Sequence, residues 1–199
     1  MIRFAVIGFL LCCYGCGSGT QKPKENIIGP NNEEIIEPIQ EVVIAPVIPP
    51  GAITANFNGD DDPFYAYVKG VNMEKGITRI AFEELPNFQL AIPETYGASL
   101  QSLQFPGFDR DVLLISAKLK DPAFTKYFVY VFRNNQWKQV VNGFAIHKSH
   151  LSDTLVPIRV DSTNNNNVLR YYSVFDLDNT NHQGYVWRLL TESIPILNR

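Results

Sequence analysis

Asn56, Asn58, Asp60 and Asp62 place four oxygen-bearing side chains at alternate positions of the stretch NFNGDDDP, with Gly59 at its middle. Calcium takes roughly six to eight oxygen ligands, mostly carboxylate and carbonyl, and a glycine lets a short loop bend far enough for alternate side chains to converge. The same residues also spell a hairpin turn, because Asn-Gly is a strong turn signal and Asp tolerates the left-handed region. Both readings stand on the sequence alone. A looser echo, DLDNTNHQG, offers Asp176, Asp178 and Thr180.

Other constellations carry less. HKSHLSD sets His147, His150 and Asp153 close enough for zinc, but no further ligand is evident, and two histidines in an exposed loop are the commoner case. Ser149 adjoins His150, yet the chain has no GxSxG elbow to aim a nucleophile. Glu83, Glu84, Asp109 and Asp111 could supply paired carboxylates for glycoside chemistry, as almost any acidic β protein could. Trp137, Trp187 and Tyr185 would suit either a sugar or peptide groove or a core. No catalytic residue is assigned, and calcium is the one cofactor expected.

The three cysteines fall in one short run, Cys12, Cys13 and Cys16, and none follows. Before them come Arg3 and an apolar stretch from Phe4 to Leu11, the charge-then-apolar layout of an export signal. The stretch is shorter than the roughly 20 residues that a spanning helix needs. Gly15-Cys16 resembles the cleavage site of a bacterial lipoprotein signal peptide, although Cys13 and Tyr14 stand where that family prefers Leu and a small residue. The resemblance implies that residues 1–15 are removed and that Cys16 carries a lipid such as palmitate. The mature chain would then have no disulfide and no thiol nucleophile, despite export to an oxidising compartment. Its acyl chains would hold it on the envelope, with the outer membrane as the expected home.

Residues 16–50 read as the lipidated cysteine followed by a tether. Pro23, Pro30, Pro38, Pro46, Pro49 and Pro50 interrupt both helix and sheet, and Lys22 and Lys24 face Glu25, Glu33, Glu34, Glu37 and Glu41. The alternative is that Val42 to Ile44 adds an edge strand to the domain that follows.

From residue 51 to 199 the pattern is all β. Short β-branched or aromatic runs lie between Asn, Asp, Gly and Pro clusters: 63–68, 77–82, 88–92, 111–119, 127–132, 137–141, 155–160, 168–175 and 185–190. DVLLISAKLKD could pass as a helix, and ETYGASLQSL could hold a turn or two of one. A period is visible, with apolar strands opening at Pro63, Asp111 and Val168. It predicts three antiparallel units of four short strands, starting near residues 52, 100 and 155. Such units are blade-like, as in a propeller or an open stack, with a β-sandwich as the alternative. In YFVYVF both alternating faces are apolar, whereas ITRIAF and YVWRLL carry Arg79 and Arg188. A middle unit covered on both sides would account for this.

NFNGDDDPFYAYV resembles the FG-GAP or VCBS repeat signature, in which Asn56, Phe57, Asn58, Gly59 and Asp60 take the first five places. FDRDVLLIS resembles the end of the same signature, with Asp111 ahead of its apolar strand, and VDSTNNNN is a looser echo. Asn56, Asp61 and Phe64 depart from the pattern. The resemblance implies a propeller at a cell surface with calcium in the turn.

With 45% apolar residues and a net charge of −3, the chain can bury a core but offers no basic stripe for phosphates, so a nucleic-acid partner is not expected. The expected function is a lipid-anchored envelope binding or scaffold module, not an enzyme, that holds a protein or a glycan. The alternatives are an envelope hydrolase or enzyme inhibitor, and a structural lipoprotein that assembles with copies of itself as a homo-oligomer.

Overall fold

The computed structural model describes residues 47–60 and 62–197. The signal peptide, Cys16, most of the tether with its Val42–Ile44 alternative, and Asp61 therefore lie outside the described residues.

Three antiparallel sheets follow one another along the chain. The first is ordered β1 (Ile53–Ala55), β2 (Phe64–Asn72), β3 (Ile77–Phe82), β4 (Leu90–Pro93). The second is ordered β5 (Ala98–Leu103), β6 (Val112–Lys118), β7 (Phe124–Arg133), β8 (Gln136–His147). The third contains β9 (Ile158–Val160), β10 (Asn167–Leu177) and β11 (Tyr185–Pro195), with β10 in the middle. A 3-10 turn, Lys148–His150, follows β8. The expected unit starts fall close to Ile53, Ala98 and Ile158.

Two expectations are corrected. The third unit has three strands rather than four among the described residues. The segment ASLQSL, which had room for a helical turn, is strand β5, because full-length pairing with β6 and the burial of Leu100 outweigh its weak β propensity. DVLLISAKL is likewise a strand, buried along nearly its whole length.

Local chemistry explains the joints. The β7–β8 hairpin turns on Asn134 and Asn135, both at positive φ (52° and 56°), as a two-residue turn with the right twist requires. Gly143 lies where the β7–β8 register shifts, and a β-carbon there would meet the Phe128 ring at 3.1 Å.

The middle sheet is covered on both faces. Leu113, Ile115, Ala117 and Phe128 join Phe64, Ile80, Phe82 and Ile92 of the first sheet and Phe57 of its β1–β2 loop in one core. Val112, Leu114, Tyr127, Val129 and Val131 point the other way and pack with Ile158 and Val168 of the third sheet. The two apolar faces of YFVYVF thus serve two cores, while Arg79 is exposed and Arg188 half-exposed. Trp137 belongs to the first core, stacked on Phe82 at 4.3 Å.

Candidate functional site

The third sheet leaves its far end uncovered. Phe175 is 55% and Leu177 73% exposed, and Tyr185 is 37% exposed on the neighbouring strand. Phe175 and Trp187 face each other across β10 and β11. Phe175 stacks on Tyr185 at 5.1 Å and meets Trp187 edge-on at 5.6 Å. Trp187 in turn stacks on His147 at 5.2 Å and meets Phe124 at 5.0 Å. Phe124 and His147 are a cross-strand pair of β7 and β8. Two sheets therefore build one continuous run of rings, Tyr185–Phe175–Trp187–His147–Phe124, that is partly open to solvent.

Two serine–histidine pairs lie at its inner edge. Ser173 Oγ accepts the His147 backbone N–H at 2.9 Å and lies 2.9 Å from His150 Nδ1. Ser149 Oγ is 2.8 Å from His147 Nδ1, which also faces the Ser149 backbone N–H at 3.3 Å. So His150 is partnered by Ser173, not by the adjacent Ser149. Among the described residues no carboxylate pairs with either imidazole, so neither pair has the third group that orients a catalytic base. Asp153 is exposed and does not complete a zinc set, and no three His, Cys, Asp or Glu side chains gather as a metal site among the described residues.

The described part of the loop expected to hold calcium is hydrogen-bonded within itself. Gly59, at φ 80°, donates its N–H to Asn56 Oδ1 at 2.7 Å. The Asn58 amide donates to Asp60, whose other oxygen accepts the Asp62 N–H at 3.0 Å. Among the described residues, the buried Asn58 Oδ1 has no hydrogen-bond donor and the buried indole Nε1 of Trp137 has no acceptor. A guanidinium also lies against this loop: a β-carbon on Gly59 would be 3.0 Å from Arg110 Nη2. Arg110 also donates to the Phe132 carbonyl at 2.8 Å and to both oxygens of Asp109. With a resident positive charge in place, thermal melts in calcium and in chelator should coincide, and Arg110→Ala should lower the melting temperature. A calcium-dependent rise that is lost in Asp60→Ala and Asp62→Ala would reverse that expectation.

The two fragments that resemble one repeat signature meet here. The Asn56 N–H donates to Asp111 Oδ2 at 2.8 Å, and the Asp111 N–H donates to the Asn56 carbonyl at 2.7 Å. They flank a cleft of about 630 Å³ lined also by Phe105, Phe108, Asp109, Arg110 and Val160. Asp109 is held far below the usual carboxylate range by its hydrogen bonds to Arg110, so it is poorly suited to act as a general acid. Glu84 is shifted the opposite way, by burial and then by the charges of Asp62, Asp60 and Glu83. Glu83 and Glu84 are not among the residues that line the cleft.

The third echo, VDSTNNNN, holds a buried acid. Asp161, 4% exposed, accepts from the Ser193 hydroxyl and from both the hydroxyl (2.7 Å) and the N–H (2.9 Å) of Thr163. These bonds favour its ionised form and lower its pKa from 3.8 to about 2. A depressed carboxylate contributes stability above its unfolded pKa and loses it as pH falls through the folded value. The melting temperature should therefore drop between about pH 4 and pH 2, and Asp161→Asn should flatten that part of the profile. An unchanged profile would remove Asp161 as its source. In the weaker DLDNTNHQG loop Asp178 accepts from Thr180, and Asp176 pairs with Arg188 of β11.

Sequence reasoning named Trp187, Tyr185, His147 and His150 but not Phe124, Ser173, Phe175, Arg110 or Asp161. Phe175 and Trp187 were legible as aromatic strand residues, but only the β10–β11 register sets them side by side. The chain matches no known protein family, no curated protein and no solved structure.

Proposed function

We propose that this chain is a lipid-anchored binding module of the bacterial envelope, tethered through Cys16, whose ligand is a protein or glycan held on the aromatic run of the third sheet. The observation that carries the reading is the exposure of Phe175, Leu177 and Tyr185 in contiguity with Trp187. Leaving such surface in water forgoes burial energy, and contiguous exposed aromatic patches mark interaction sites. Flat amphipathic rings give contact area at small entropic cost, and they suit the face of a sugar or the side chains of a peptide. The blade-like order of the sheets and the FG-GAP resemblance of residues 56–60 agree with a surface module. The hydrolase alternative rests on the two serine–histidine pairs.

Titration of the chain with envelope glycan fragments and envelope proteins, followed by tryptophan fluorescence, tests this reading. Trp187 is the responsive indole, since Trp137 lies in the core. A saturable change is expected, weakened about tenfold or more in Tyr185→Ala and Phe175→Ala. Cys16→Ser should release the chain from membranes and abolish palmitate labelling. Turnover of a glycan or ester that Ser173→Ala removes would instead establish the hydrolase.

A further inference from the structure

The first two sheets each carry a fourth strand on the outside, and the third stops at β11. Strand β11 is eleven residues long, and among the described residues no strand or loop backbone pairs with its outer edge. A long free edge is a template for another strand, and proteins ordinarily guard it with charge. Here the charges have both signs. Arg188, Leu190 and Glu192 share one face, and Leu190 is 39% exposed.

We infer that β11 pairs antiparallel with β11 of a second copy of this chain, about a two-fold axis at Leu190. The charge pattern favours this register, the one that sets opposite charges across the pair. With Leu190 opposite Leu190, Arg188 of each copy lies opposite Glu192 of the other, and Val186 lies opposite Ile194. A shift that centres the pair on Arg188 or on Glu192 places like charges opposite each other, which is destabilising. Within each copy Arg188 already pairs with Asp176, and Glu192 pairs with Arg170 at 2.7 Å. The dimer would extend these into rows of alternating sign across four strands: Asp176, Arg188, then Glu192 and Arg170 of the second copy. Such self-complementarity is what a two-fold interface demands. The aromatic run lies on the opposite face of β11, since Tyr185 and Trp187 alternate with Arg188 and Leu190. This inference therefore stands or falls separately from the proposed binding function.

The test uses the full-length chain in detergent. Leu190→Cys is oxidised mildly beside Ser152→Cys, which places a thiol in an exposed loop. The expected product of the first variant is a covalent dimer whose tryptic digest holds peptide 189–199 linked to itself, a linkage that Cys12, Cys13 and Cys16 cannot imitate. In sedimentation the wild type should show twice the protein mass of Leu190→Lys, whose far-UV spectrum should be unchanged. Three results would overturn the inference: cross-linking of Leu190→Cys no faster than that of Ser152→Cys, peptide 189–199 joined to a different protein, or a monomeric wild type. If Leu190→Lys fails to fold, the cysteine linkage decides.

Discussion

Leu113→Ala and Leu114→Ala should each destabilise the chain by about 2–5 kcal/mol, although the two residues are neighbours in one strand. Successive side chains of a strand point to opposite faces, so in a sheet with one wet face only one of the two would matter. Here Leu113 is 0% and Leu114 1% exposed, and they belong to different cores. Leu113 packs toward the first sheet and Leu114 toward the third. The double variant should lose close to the sum of the two, because the side chains lie in different cores, and any shortfall measures coupling through the shared backbone. Urea unfolding of the single and double variants measures all three quantities. A near-neutral effect at either position would show that one side of the middle sheet is not a packed interface.

Phe57→Ala is expected to cost about 3–5 kcal/mol, the range for a large aromatic removed from a core. Phe57 is fully buried, with the rings of Phe64, Trp137 and Phe82 at 5.6, 5.8 and 6.1 Å. It follows Asn56, whose backbone is bonded in both directions to Asp111, so the ring and the paired backbones fasten the first unit to the second. In the resemblance to a calcium-binding repeat the oxygens on either side of this phenylalanine draw the attention. The structure makes the phenylalanine the larger energetic element. Asn56→Ala, which removes only the acceptor for the Gly59 N–H, should cost about 1 kcal/mol. Equal losses from Phe57→Ala and Asn56→Ala in urea unfolding would mean that the loop, rather than the ring, holds this junction.

Several features were legible before any coordinates. Alternating apolar runs bounded by Asn, Asp and Gly identify strands because burial on a pleated sheet has a period of two and tight turns need those residues. Two apolar faces in YFVYVF mean two cores, since a face that meets water has no use for valine and phenylalanine together. The spacing of Pro63, Asp111 and Val168 marks three units because each must close its own hairpins locally. What stayed hidden has a common cause, dependence on a distant partner. ASLQSL lacks β-branched residues and becomes a strand only because β6 is available to pair with it. Arg110 reads in the sequence as one more charge, yet in space its guanidinium lies against Gly59, at the middle of the loop whose oxygens suggested a metal.

The all-β class, the three consecutive units, the covered middle strand and an N-terminus resembling a lipoprotein's are all written in local spacing and composition. Packing in three dimensions was needed for the rest. It brings Asn56 to Asp111, joins Phe124 and His147 of the second sheet to Phe175, Tyr185 and Trp187 of the third, and leaves β11 with an outer edge that no backbone among the described residues pairs. Those outcomes depend on strand register and on which sheet lies over which. A one-residue slip in register would turn every one of these side chains to the opposite face while leaving the sequence pattern just as strand-like.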